Sequence, residues 1–163
     1  MELLPSIPDN ISDVLVRIVR FTELRRGILR SNIRNVNTAE FVPQDLPVRE
    51  FAEMLDAAIA EHLQNRRLLF RDTANIRFGP GGQMRVRPIG DASAHALLRT
   101  NPDEYMELQG NKLAENTLNR RVAEELFRQK CGTYPTVTDW ALDKTAAGNP
   151  PFENLPTLHD AAD

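Results

Sequence analysis

Two amphipathic patterns, one near each end of the chain, constrain the fold more than any other feature. Ile11, Val14, Leu15, Ile18, Phe21, Ile28, Leu29, Ile33 and Val36 recur at steps of three and four, the spacing of one face of an α-helix. Asp9 or Asn10, after Pro8, supplies an N-cap, and a helix over 10–36 is about 40 Å long at 1.5 Å per residue. Gly27 is its weak point, costing roughly 1 kcal/mol relative to alanine. At the other end, Asn101-Pro102-Asp103-Glu104 combines a cap, a first-turn proline and two acids, and so opens a second long helix. It is expected over 102–130, stopping before Gly132. Its apolar positions include Met106, Leu113, Leu118, Val122, Leu126 and Phe127, interrupted by Gly110, Asn111, Glu115 and Asn119.

Between them the pattern changes. Val48, Phe51, Leu55, Ala58, Ile59 and Leu63 share a stripe that Glu50, Glu53, Asp56 and Glu61 largely avoid, which predicts a short helix over 47–64. Ile76-Arg77-Phe78 and Met84-Arg85-Val86-Arg87 alternate across Gly79-Pro80-Gly81-Gly82. That is a β-hairpin with one apolar and one arginine face, and a lone hairpin must lean on another element. The middle region, 40–100, is read as offering little core of its own. After Gly132 come four prolines, the only tryptophan (Trp140) and few periodic apolar residues, so 133–163 is read as a Pro-rich acidic tail with one helical turn at Thr138–Leu142. The predicted fold is therefore mainly α. Long N- and C-terminal helices pack as an antiparallel helical pair or coiled coil, with a short middle helix and a small β-hairpin insert.

Charge is strongly blocked although the net value is only −3. Residues 11–37 hold six arginines against two acids, and 62–90 hold six arginines against Asp72 alone. Residues 40–61 and the tail are acidic, so the blocks can pair with one another or with neighbours, or be ordinary solvated faces. The N-terminal MELLPSIPDN has an acid and two prolines where a cleavable signal carries a basic patch and an apolar block. No run reaches the eighteen or so apolar residues of a membrane span.

Chemistry-bearing constellations are sparse. His62, His95 and His159 lie far apart and show no metal-ligand spacing with Cys131. Cys131 sits at the negative end of a helix, which disfavours a thiolate. Gly79–Gly82 lacks the lysine and following helix of a phosphate cradle. No catalytic residue, cofactor or metal site is assigned.

One stretch carries a resemblance. Ser31-Asn32-Ile33-Arg34-Asn35-Val36-Asn37-Thr38-Ala39-Glu40-Phe41 resembles the N-terminal motif of flagellar rod, hook and related axial proteins, in which a long helix ends in Asn-Ile-Ala-Asn-x-x-Thr-Pro-Gly-aromatic. Asn32, Ile33, Asn35, Thr38 and Phe41 match in register. Arg34 replaces alanine, and Ala39-Glu40 replace Pro-Gly, so a different turn or continued helix is expected there. Lys112-Leu113-Ala114-Glu115-Asn116-Thr117-Leu118 is similar to a C-terminal stretch of the proximal rod members, with Arg120 where they carry tyrosine.

The resemblance implies a structural subunit rather than an enzyme: one rod-type domain over 1–132, exported without a cleavable signal and placed in the periplasmic rod of the flagellar basal body. It implies assembly with other copies, with neighbouring rod and membrane-ring proteins and with the export gate, and no nucleic acid. The residues expected at that assembly interface are Ile18, Leu29, Asn32, Ile33, Asn35, Val36, Thr38, Phe41, Leu113, Asn116, Leu118, Val122 and Leu126. Two other readings stay open from the residues themselves. Arg66, Arg67, Arg71, Arg77, Arg85 and Arg87 would suit a nucleic-acid binder, although stacking aromatics among them and a base-reading motif are missing. Composition also permits a helical adaptor.

Overall fold

The structure, a computed structural model, describes residues 10–80 and 83–132. The tail, its suggested helical turn and Gly81-Gly82 of the hairpin turn lie outside the described residues. The elements are α1 (Asn10–Arg34), β1 (Gln44–Asp45), α2 (Val48–Asn65), β2 (Ile76–Phe78), β3 (Met84–Val86), β4 (Ile89–Gly90), α3 (Ala92–Thr100) and α4 (Pro102–Cys131). The chain is mainly helical, and α1 and α4 pack along each other. Bonds from Thr22 to Asn116 and from Asn32 to Gln109, together with the approach of Ser12 to Cys131, fix the pair as antiparallel.

α1 is buried on two sides, and the two sides meet different partners. Val14 and Phe21 join Leu46, Phe51, Met54, Leu55, Ile76, Met84 and Val86 in the larger buried cluster. Leu15 and Val19 join Ala123 and Phe127 of α4 in a smaller one, and Ile18 packs against both. The expectation of little core in the middle region is thus overturned. α2 and the hairpin close most of the apolar interior onto α1, because Phe51, Met54, Leu55 and Ala58 of α2 form one buried face. The rings of Phe21 and Phe51 stack with centroids 4.0 Å apart.

The hairpin pairs Ile76 with Val86, Arg77 with Arg85 and Phe78 with Met84. Alternation puts Ile76, Met84 and Val86 in the core and both arginines in solvent. Glu50 in the first turn of α2 accepts from the backbone and side-chain amides of Asn75, tying the hairpin entrance to that helix. Arg17 lies over the Phe70 ring, 3.9 Å from its centroid, which holds the segment before the hairpin against α1.

Two features were absent from the sequence reading. β1 and β4 form a second two-stranded antiparallel ribbon, and α3 follows it, capped by Asp91, whose Oδ1 accepts from the Ala94 amide at 3.0 Å. The turn after α1 also differs from expectation. The helix ends at Arg34 rather than Val36, and Glu40 adopts φ 57, so the left-handed position that a glycine would fill is kept by a residue with a Cβ.

Gly27 and Glu40 are therefore each in the other's preferred setting. A Cβ added at Gly27 meets nothing within 4 Å, so Gly27→Ala should stabilise the fold by about 1 kcal/mol. Glu40→Gly should relieve roughly 1 kcal/mol of left-handed strain. Urea unfolding midpoints check both; a lowered midpoint in either variant contradicts the assigned backbone.

Candidate assembly surface

α4 presents two different stripes, and α1 takes the more polar one. Tyr105, Gln109, Asn116, Ala123 and Phe127 are buried on it, with Lys112 and Arg120 half-buried between them, a four-and-three spacing like a coiled-coil seam. Only its C-terminal end is apolar. The rest is hydrogen-bonded to α1 and to the β1–β4 ribbon.

Asn32 is the hub at one end. Its Nδ2 donates to the Gln44 carbonyl at 2.7 Å and to Gln109 Oε1 at 2.9 Å, its Oδ1 accepts from the Gln44 amide, and its backbone carbonyl accepts from the Tyr105 hydroxyl at 3.0 Å. Asn116 Nδ2 donates to the Thr22 carbonyl at 2.7 Å. Thr22 turns its own hydroxyl onto the Val19 carbonyl, so two donors crowd the same stretch of α1 backbone.

Between these two asparagines runs a chain of alternating charge. Arg25 clamps Asp45 with Nε and Nη2 at 2.8 and 3.0 Å, Lys112 Nζ reaches Asp45 Oδ2 at 3.0 Å, and the same ammonium donates to Asp91 Oδ2 at 2.5 Å. The β1–β4 ribbon holds the two carboxylates on either side of Lys112, since the Asp91 amide donates to the Pro43 carbonyl next to β1. Burial alone would raise the Asp45 carboxyl, but Arg25 and Lys112 reverse this and hold it below its ordinary value. Burial alone would lower Lys112; Asp91 and Asp45 outweigh that and raise it. Burial, helped by the charge of Asp91, pushes the Tyr105 phenol up to about 12. Farther along, Arg120 bridges Glu23 of α1 and Glu124.

Several residues expected at an interface with other molecules are thus turned inward. Leu29, Asn32 and Asn116 are fully or almost fully buried within this chain; Asn32 bonds the Gln44 backbone and Asn116 the Thr22 carbonyl, so the buried side-chain amides find partners. Asn35 and Thr38 act locally: Asn35 Nδ2 donates to the Ser31 carbonyl, and Thr38 Oγ1 donates to Asn35 Oδ1, which ends the helix. Ile18, Ile33, Val36, Phe41 and Leu113 are half-buried.

The second stripe faces outward. Leu118, Val122 and Leu126 are 62%, 51% and 48% exposed. Four residues apart, they form one ridge that winds from the side opposite α1 round to its flank. There Leu126 meets Ile11, half exposed, and with Leu15, Gln129 and Lys130 they line an apolar hollow of about 300 Å³. Arg25, Asp45, Asp91, Tyr105 and Gln109 were not singled out from the sequence. The polar residues at 105, 109, 112 and 116 were the available signal, since such spacing on a helix is a face.

Among the described residues, no three His, Cys, Asp or Glu side chains form a group suited to a metal ion, and no helix is long and apolar enough to cross a membrane. Comparison with known protein families, with curated proteins and with solved structures finds no match.

The charged chain sets the pH response. Asp45, lowered in the fold, contributes stability that is complete above its unfolded value near 4 and is lost as pH falls through the folded value. Tyr105, raised to about 12 in the fold, contributes stability present below about 10 that is lost as pH rises toward 12. Lys112, also raised, loses its contribution in the same alkaline direction. Stability should plateau between these limits, with Tyr105→Phe flattening the alkaline limb. Asp45→Asn, which leaves the buried Arg25 without its carboxylate and Lys112 with Asp91 alone, should destabilise by about 3 kcal/mol at neutral pH. A loss under about 1 kcal/mol in urea titration would show that the clamp is not what seats α4.

Proposed function

We propose that this chain is a structural subunit of the bacterial flagellar basal-body rod type, working by helix packing and not by catalysis. The observation that carries the reading is the exposed ridge of Leu118, Val122 and Leu126 beside Ile11, on the helix that also holds the Lys112–Leu118 stretch. Such a ridge on a terminal helix is completed by an apolar stripe of another copy or a neighbouring axial protein, and association of that kind stabilises the folded form by mass action. The likeness of residues 31–41 to the axial motif supports the same class. In that role the subunit sits in the periplasmic rod near the membrane ring and export gate, and helps to carry torque from motor to hook.

The packing also suits a load-bearing part. α1 is held on two sides, so a force on α4 is shared with α2 and the hairpin through close-packed contacts.

Leu118→Asp and Val122→Asp should leave the unfolding free energy in urea within about 0.5 kcal/mol of the parent, since both side chains are exposed. Both should stop incorporation into isolated basal bodies, read by mass spectrometry, and stop swimming. Basal bodies that lack the parent chain in a swimming strain, or normal swimming by both variants, would sink the reading.

A further inference from the structure

The hairpin's solvent face carries more positive charge than its fold explains. Arg77 and Arg85 stand directly opposite one another across the β2–β3 ladder, an arrangement that costs stability for like charges. Arg87 follows Arg85 on the same face by the two-residue alternation of a strand. Arg77 has Asp72 at 3.3 Å, but Arg85 and Arg87 have no carboxylate partner among the described residues. Arg66, Arg67 and Arg71, leading into the hairpin, are likewise exposed.

The chain supplies the complement itself. Residues 133–163 hold five acids against one lysine, and two of the acids, Asp139 and Asp143, bracket Trp140. α4 delivers this segment to the correct end of the molecule. Cys131 lies beside Ser12 in the first turns of α1, about 7.5 Å along the helix from Arg17, on which Phe70 and Phe78 of the hairpin region pack. Trp140 is eight residues beyond Gly132, a reach of up to about 27 Å when extended.

We propose that the arginine face of β2–β3 (Arg77, Arg85 and Arg87) is the docking site of this chain's own acidic C-terminal segment, with Trp140 between Asp139 and Asp143 as its anchor. The two aspartates pair with guanidinium groups, and the indole lies over one of them, the favoured geometry for arginine and tryptophan. Nucleic acid fits the face less well. Phe70 and Phe78, the aromatic rings nearest these arginines in the chain, are engaged with each other and with Arg17 rather than open for base stacking, and the whole chain is acidic.

The only tryptophan in the chain makes the test direct. In the full-length protein, Trp140 emission should be shielded from acrylamide, independently of protein concentration. Arg85→Glu with Arg87→Glu should raise quenching by roughly twofold and shift emission to the red, as should about 0.5 M sodium chloride. Adding Asp139→Arg and Asp143→Arg to that double variant should restore the shielding, a rescue that general unfolding cannot mimic. The proposal is overturned if Trp140 in the parent is quenched like a free indole, or if shielding ignores both arginines and salt. It is overturned equally if shielding grows with concentration, which assigns the face to a second copy. Binding of duplex DNA by the parent at low micromolar concentration, abolished by the arginine reversals, would give the face to nucleic acid instead.

Discussion

The carboxylate of Asp45 accepts from Arg25 and from Lys112 at once, and the placement of three separate parts of the chain follows from it. Arg25 belongs to α1, Asp45 to the β1–β4 ribbon and Lys112 to α4, while Asp91 closes the series at the cap of α3. Two cations and two anions leave no net charge in a poorly hydrated place, which is the condition under which buried ions are tolerated at all. The polar seam on either side, from Asn32 and Gln109 to Asn116, adds directional bonds where a greasy seam would add only area. Little apolar surface joins α1 to α4 apart from the Leu15, Val19, Ala123 and Phe127 cluster. The antiparallel pairing is therefore specified more by polar complementarity than by hydrophobic burial.

That division of labour frees the apolar ridge of α4. A helix that docked on α1 through Leu118, Val122 and Leu126 would have no ridge left to offer; here those residues stay in solvent. The proposed subunit role thus draws on a surface the fold does not consume. α1, in contrast, keeps little free apolar surface beyond Ile11: its other apolar residues serve mainly the large cluster with α2 and the hairpin and the smaller one with α4. Its solvent side is the stripe of Glu23, Gly27, Arg30 and Arg34.

Much of the fold was legible in the sequence, and the misses have a common cause. Periodicity found α1, α2 and α4 to within two residues at each end, and alternation found the hairpin with its faces correctly assigned. The ribbon β1–β4 escaped because two-residue strands have no readable period, and α3 because nine residues after Asp91 give only about two and a half turns of pattern. The interface residues divided along the same line. Hydrophobicity selects the most apolar stripe of α4 as the one that packs, yet α1 chose the stripe of Tyr105, Gln109, Lys112 and Asn116. Asn32 and Asn116 were noticed for their motifs, but their partners are 77 and 94 residues away in the chain, a distance over which spacing carries no information.

A helix pair sewn by point-to-point bonds behaves unlike one held by interdigitated methyl groups. Sliding α4 along α1 by one turn, about 5.4 Å, would carry Lys112 away from both carboxylates and Asn116 away from the Thr22 carbonyl in the same movement. No intermediate slip recovers any of them, so the seam works as a latch with a single seat. Where it turns apolar, beside Leu15 and Phe127, that latch is missing, and a pull along the long axis will start to peel the two rods apart there first.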